Sequence, residues 1–199
     1  MKTINFVPAD AGFFFNVIGM LLQDEPSVDI MKLIKSEEIF REVPFGMDNL
    51  SVIEGQTDML EWLETGNIAE LTLDARSDYM NLLVGTNKIL AAPWSSCYLS
   101  RKRMTFQEKT LEIRDIYRQY GLEVIKKNKE PDDHIGIELE FIAYLLSKND
   151  LESATDFARK HVNPWIHTWS KDVLNNAATG YYRGLGYMAA GGVEALLNN

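Results

Sequence analysis

The stretch Glu130–Phe141 reads EPDDHIGIELEF and places five carboxylates and one histidine within eleven residues. Pro131 disfavours helix at the residue before it, so a helix is expected to begin just after the proline. Asp132 or Asp133 is expected to accept hydrogen bonds at the N-terminus of this helix, where the macrodipole favours negative charge. Apolar residues recur through the stretch at helical spacing and are expected to pack inward. So dense a group of acids indicates a surface that receives a basic ligand.

Helical periodicity continues on both sides of this acidic stretch. Ser27, Asp48 or Asn49, and Asn67 each precede an amphipathic segment and are expected to cap it. No segment of the chain alternates in the pattern of a strand between two turns. The sequence therefore predicts an all-α fold, a single compact bundle of about nine helices, with residues 1–199 forming one domain.

Composition and charge exclude several classes of protein. The chain has 199 residues and a net charge of -9, which argues against a nucleic-acid-binding protein, because such a protein needs a basic face. Cys97 is the only cysteine, so an internal disulfide is impossible and a reducing compartment is favoured. The N-terminus lacks the features of a secretory signal, and no run of about twenty apolar residues could span a bilayer. We expect a cytoplasmic protein without stable membrane insertion.

The acidic stretch also predicts which side chains bind the ligand. His134 and Glu138 lie four residues apart and share a helix face, whereas Ile137, Phe141 and either Tyr144 or Leu145 mark the face expected to be buried. The predicted binding residues in this stretch are Asp132, Asp133, His134, Glu138 and Glu140.

Two further segments contain unusual side chains. In Pro93–Tyr98, Trp94 and Tyr98 either line an aromatic groove for the apolar part of a peptide or close the bundle where a helix ends. Ser100–Phe106, which contains Arg101, Lys102 and Arg103, superficially matches a twin-arginine export motif. It is internal and no apolar stretch follows it, so we expect an exposed basic loop.

Enzymatic alternatives have weaker support. A histidine and a carboxylate four residues apart can hold a divalent metal, but no second pair completes a ligand set, so no metal and no cofactor are expected. No phosphate-binding or dinucleotide-binding glycine motif is present. Two alternatives stay open: a small all-helical metal-dependent hydrolase using Asp133, His134 and Glu138, and an interaction module whose acidic turn only caps a helix.

Five segments together resemble the TorD/DmsD/NarJ family of redox-enzyme maturation chaperones. Glu130–Phe141 is similar to the family signature, whose form is close to E-P-D-D-H-x-x-x-E-L-x-F. Asp78–Gly85 followed by Pro93–Tyr98 is similar to Y-x-x-L-F-x-G and then P-[WY]-x-S-x-Y. Thr110–Leu122 resembles the family's helix leading to an F/Y-G-L turn, and His161–Trp165 resembles its H-x-x-x-W element.

This resemblance implies a chaperone with no catalytic activity, which serves molybdoenzymes of anaerobic respiration. Its partner would be a molybdopterin oxidoreductase precursor, bound through its twin-arginine signal peptide or N-terminal segment until the cofactor is inserted and the enzyme is exported. Asp132, Asp133 and Glu138 would meet the arginines of that peptide, since carboxylates form charge-assisted bonds with guanidinium groups. Trp94 and Tyr98 would form the apolar wall, and Phe141 would either join them or belong to the core.

A homodimer is a further possibility, because the glycine-rich segment Gly180–Leu197 suits a dimer seam or internal packing equally well.

Overall fold

A computed structural model describes residues 6–85, 88–99, 108–124 and 131–199. The described part of the chain contains ten α-helices, one of them a single turn, and no strand of a sheet, which confirms the all-α prediction. The helices are α1 (Pro8–Gln23), α2 (Val28–Ser36), α3 (Leu50–Leu63), α4 (Ile68–Tyr79), α5 (Ser96–Leu99), α6 (Glu108–Gln119), α7 (Ile135–Ser147), α8 (Leu151–Phe157), α9 (Asn163–Asn176) and α10 (Gly180–Leu197). Two π-helical turns, Met80–Val84 and Ala158–Val162, extend α4 and join α8 to α9.

Local side chains determine where three of the early helices begin. Ser27 and Asn49 each accept a backbone N–H from the first turn of the helix that follows them. Asn67 and Glu70 form a reciprocal capping box at the start of α4. The predictions for Ser27, Asn49 and Asn67 are therefore confirmed, and caps of this kind contribute about 1 kcal/mol each.

The start of α7 differs from the prediction. The capping residue is His134, whose Nδ1 accepts the backbone N–H of Gly136 at 3.1 Å. Asp132 and Asp133 precede the helix and direct their carboxylates to α6 and to the loop before α5. The expectation that either aspartate caps α7 was wrong, because each has donors from distant parts of the chain.

Two helix pairs cross at facing glycines. Where α1 crosses α7, a Cβ atom added to Gly19 would lie 2.7 Å from the carbonyl oxygen of Gly136. Where α3 crosses α10, a Cβ atom on Gly55 would lie 2.7 Å from the carbonyl oxygen of Gly184. Interiors are close-packed, so a side chain at either contact would separate the helices. The first crossing fixes the N-terminal half of α7, which contains most of the acidic stretch.

One continuous apolar cluster fills the bundle, with Trp165, Trp169, Tyr181 and Tyr182 as its largest fully buried side chains. The glycines of α10 pack against α1, α3 and α9 of the same chain. They are therefore used for internal packing, and a homodimer stays a prediction.

The predicted basic loop at Arg101–Arg103 lies outside the described residues. Within the described ranges, no helix has both the length and the apolar character needed to cross a membrane.

Candidate functional site

The loop before α5 and the turn before α7 are joined through their backbones. Trp94 and His134 form an isolated antiparallel bridge, and the N–H of Ser95 donates to the carbonyl oxygen of Asp133 at 3.0 Å. The rings of Trp94 and His134 meet edge to face with their centroids 6.4 Å apart. The two segments predicted to form one site therefore lie side by side.

Asp133 connects three parts of the bundle. It is fully buried and accepts hydrogen bonds from the N–H of Ser96 at 2.8 Å, the hydroxyl of Thr110 at 2.7 Å and the hydroxyl of Ser95 at 3.3 Å. These donors belong to the loop before α5, to α5 and to α6. A buried carboxylate is stable in a protein when several donors surround it, and here they also fix the positions of these elements.

Asp132 holds α6 against the same turn. Its carboxylate is buried and accepts hydrogen bonds from Nε and Nη2 of Arg114 at 2.9 and 2.6 Å. Its backbone carbonyl accepts a hydrogen bond from the hydroxyl of Tyr117 at 3.3 Å. All three bonds join Asp132 to one face of α6, so they hold that helix against the turn before α7.

Glu138 faces the interior from the first turn of α7. Its side chain is fully buried and accepts a hydrogen bond from the indole N–H of Trp165 in α9 at 3.2 Å. Burial, and after it the charge of Asp133, raise the pKa of Glu138 well above the usual 4.5. The environment therefore favours the protonated, uncharged acid.

The predicted site residues thus fall into a buried group and a half-buried group. Asp132, Asp133, His134 and Glu138 are all buried. Trp94 and Tyr98 are half-buried, and Tyr98 stacks on the ring of Trp165 at a centroid distance of 5.4 Å. Contact between these six side chains and a peptide stays a prediction.

Metal binding at the acidic stretch receives no support from this arrangement. Across the four described ranges, no group of three or more His, Cys, Asp and Glu side chains is arranged to hold a metal ion. In the hydrolase alternative the ligands would be Asp133, His134 and Glu138, whose side chains accept hydrogen bonds from backbone or side-chain donors of the protein.

An open cavity of about 440 Å³ lies against a different face of α7. Its walls are the C-terminal end of α1, the end of α6 with the segment that follows it, and α7. Carboxylates of Asp24, Glu123 and Glu140 border the cavity, and no basic residue is among the described residues that line it. The rest of the lining is Gln23 with the aromatic and aliphatic side chains Tyr117, Leu122, Val124, Ile137, Phe141 and Tyr144.

Glu140 is the predicted binding residue that borders this cavity. It is half-buried, and burial raises its pKa above the usual 4.5; the side chain of Gln23 lowers this pKa by hydrogen bonding, and the charge of Asp24 raises it. Acid-lined apolar cavities of this size suit a ligand that combines positive charge with apolar groups.

Several cavity residues were not predicted. Ile137 was expected to be buried, as was either Tyr144 or Leu145. Leu145 is buried, whereas Ile137 and Tyr144 are half-buried and line the cavity. With Glu140 they occupy positions i, i+3 and i+7, a spacing that places all three on one face of α7 and could have indicated a shared surface. Gln23–Asp24 and Leu122–Val124 carry no such signal, because tertiary packing of the helix ends brings them together.

Comparison with known proteins gives concordant results. The family model described as nitrate reductase delta subunit matches residues 54–171. A Haemophilus influenzae protein named as a Tat proofreading chaperone, DmsD, is 30% identical over 107 residues, which cover 54% of this chain and 52% of that protein. The chaperone protein TorD of Vibrio parahaemolyticus is 25% identical over 141 residues, covering 65% of each. The chain thus matches about half the length of the DmsD relative.

A solved structure shows the same fold. The crystal structure of a protein assigned as a redox enzyme maturation protein from Archaeoglobus fulgidus has a TM-score of 0.55 and 21% identity, covering 100% of this chain and 98% of that one. The family model matches more than half of the chain, and the matched residues include the acidic stretch Glu130–Phe141. The resemblance to the TorD/DmsD/NarJ chaperones is confirmed, and the chain belongs to the nitrate reductase delta subunit family.

Proposed function

We propose that this protein is a cytoplasmic chaperone without catalytic activity of its own. Its partner is the precursor of a molybdopterin-dependent oxidoreductase, bound through its twin-arginine signal peptide or N-terminal segment until the cofactor is inserted and the enzyme is exported. Support comes from the family and from relatives named as Tat proofreading and TorD chaperones.

The observation that carries the proposal is the cavity beside α7. Two adjacent arginines require carboxylate acceptors, and the apolar residues of a signal peptide require a surface that removes them from water. Asp24, Glu123 and Glu140 supply the acceptors, and aliphatic and aromatic side chains form the walls. Both requirements are met within one opening of about 440 Å³.

The buried acids have a supporting role in this proposal. Asp132 holds Arg114 and Tyr117 in α6, and Tyr117 is itself part of the cavity wall. Asp133 and Glu138 connect the turn before α7 to α5, α6 and α9. Of the acids predicted from the sequence, we therefore propose Glu140 as a direct contact and the others as residues that fix the cavity walls.

Calorimetric titration with synthetic peptides tests this function. The probe is the twin-arginine signal peptide of a molybdopterin-dependent oxidoreductase, and its control replaces both arginines with glutamine. We expect saturable binding of the first peptide and a loss of about tenfold or more in affinity for the second, because hydrogen bonds to charged groups contribute about 1.5–3 kcal/mol. Failure to bind any molybdoenzyme leader would contradict the proposed function.

A matched pair of protein variants locates the contact. Glu140→Gln removes a charge at the cavity, whereas Glu152→Gln removes the same charge from the exposed first turn of α8. We expect weaker peptide binding only for Glu140→Gln. Equal effects from both variants would mean that net charge, and not the cavity, attracts the peptide.

A further inference from the structure

An exposed apolar stripe runs along α1 towards the cavity. Phe13 and Met20 are 55% and 38% exposed, and they lie seven residues apart, which places them on one face of the helix. Asp24 follows Met20 by four residues and borders the cavity. Glu140, also at the cavity, lies so close to α1 that a Cβ atom on Gly19 would be 3.0 Å from its Cγ atom. We call Phe13 and Met20 the α1 stripe. The stripe therefore extends the apolar surface of the cavity along the helix.

The two ends of this surface differ in charge. The cavity end has three carboxylates and lies at the C-terminus of α1, where the helix macrodipole is negative. The last turn of α1 contains no basic residue of its own to offset that dipole. The negative end of the α1 dipole and the carboxylate of Glu140 therefore favour a positively charged group of a ligand at the cavity end, and apolar groups are favoured along the α1 stripe.

We propose that the cavity and the α1 stripe form one docking surface that fixes the direction of a bound peptide. This inference rests on the proposed function and adds the orientation of the ligand. The adjacent basic residues of the peptide lie at Asp24 and Glu140, and its apolar segment runs back along α1 to Phe13. From residue 13 to residue 24, α1 rises about 16 Å at 1.5 Å per residue. About five extended residues cover that distance, a length well within one signal peptide.

A double-variant titration tests the apolar half of this surface. The probe is a synthetic peptide of two arginines followed by about ten leucine and alanine residues, long enough to cover the stripe. Phe13→Ser/Met20→Ser removes the stripe, and Leu50→Ser/Leu73→Ser removes two leucines that are 82% and 65% exposed on α3 and α4. We expect about tenfold weaker binding for the first double variant and unchanged binding for the second, because only the first loses apolar area that the peptide covers.

A second peptide separates the two halves of the surface. In this peptide the apolar residues are replaced by serine and glycine and the arginines are kept. Phe13→Ser/Met20→Ser should not alter its affinity, whereas Glu140→Gln should weaken it. Equal loss of both peptides in Phe13→Ser/Met20→Ser would overturn the inference.

Photocrosslinking tests the direction. A photoreactive group beside the arginines should attach near Asp24, and one at the apolar end should attach near Phe13; the reverse pattern overturns the proposed orientation. If the long peptide binds the wild type and the stripe variant equally well, the inference fails and the proposed function stands. If the wild type binds no arginine-bearing leader at all, the proposed function itself fails.

Discussion

The acids on the two faces of the first half of α7 differ in burial and in hydrogen bonding. On the inner side, Glu138 is fully buried, as is Asp133 just before the helix, and their bonds go to side chains and backbone of α5, α6, α9 and the loop before α5. On the cavity side, Glu140 is half-buried between Ile137 and Tyr144. The inner acids hold helices together, whereas the outer acid faces a space that a ligand can enter. One short stretch of sequence therefore serves both the fold and the site.

Asp133→Ala should have the largest effect on stability. Three donors would be left unsatisfied in the interior, and each costs about 1–3 kcal/mol, so we expect a loss of about 3–5 kcal/mol of unfolding free energy. Urea unfolding followed by circular dichroism measures it. The control is Asp115→Ala, which removes an exposed ion pair with Arg118 and should cost less than about 1 kcal/mol.

The opposite outcome for Asp133→Ala is unchanged stability with loss of peptide binding. A variant that unfolds at the wild-type urea concentration but no longer binds the peptide would place this carboxylate in the binding surface, and the two faces of α7 would then not differ in role.

Arg114→Ala should have the next largest effect. It leaves the buried carboxylate of Asp132 without its guanidinium partner, and breaking a buried ion pair on one side costs about 3–5 kcal/mol. Because Arg114 retains 16% exposure of its side chain, we expect the lower end of that range. Arg118→Ala, in the exposed pair with Asp115, is the matched control.

A double variant, Arg114→Met/Asp132→Leu, distinguishes the lost partner from lost packing. It removes both charges and should recover part of the stability in the same urea experiment, since well-packed apolar pairs often replace buried ion pairs without loss. If the double variant is as unstable as Arg114→Ala, the unpaired charge of Asp132 is not the cause of the lost stability.

The caps of the early helices could be predicted from the sequence because each depends on residues two or three positions away. Ser27 and Asn67 need only the backbone of their own helix. The burial of Asp133 could not be predicted in this way, because its donors Ser96 and Thr110 are 37 and 23 residues away. An acidic residue of unknown partners is normally expected at the surface.

The cavity was missed for a related reason. The expected rule that apolar positions pack inward fails at Ile137, which lines an opening formed by α1 and the end of α6. That opening depends on the close crossing of α1 and α7 at Gly19 and Gly136. Glycines in these two helices are visible in the sequence, but their pairing is a property of the tertiary structure.

Glu138→Gln should change how stability depends on pH. The pKa of Glu138 is raised in the folded state, so the folded protein holds a proton that the unfolded chain releases above about pH 4.5. Its contribution to stability therefore decreases as pH rises above that value. Glutamine does not titrate and can still accept the indole N–H of Trp165.

The measurement is urea unfolding of both proteins between about pH 5 and pH 8, a window above the unfolded pKa of a glutamate. We expect the variant to gain stability relative to the wild type as pH rises. A constant difference across this range would show that Glu138 is charged in the folded state, and the inner face would then hold two buried charges.

Glu140→Gln should leave stability almost unchanged and alter the pH dependence of peptide binding. Burial raises the pKa of Glu140 above 4.5, so the carboxylate takes up a proton at a higher pH than an exposed glutamate does. The ionised form attracts the arginines, and affinity for the twin-arginine peptide should therefore fall as pH is lowered through that pKa. The loss should reach about tenfold, the value of one hydrogen bond to a charged group.

The variant supplies the background for that comparison, since the carboxyl groups of Asp24 and Glu123 border the same cavity. The measurement is calorimetric titration of wild type and Glu140→Gln from about pH 4.5 to pH 7.5, a range that lies above the ordinary pKa of a glutamate. We expect the two affinities to converge at low pH, where Glu140 is protonated, and to separate as pH rises. Parallel curves would remove Glu140 from the binding surface, because a carboxylate that contacts the arginines must lose that contact when it is neutralised. If instead only the wild type loses affinity as pH falls, the outer acid Glu140 recognises the charge of the peptide. The inner acids would then differ from it in role, because their bonds hold the helices in place.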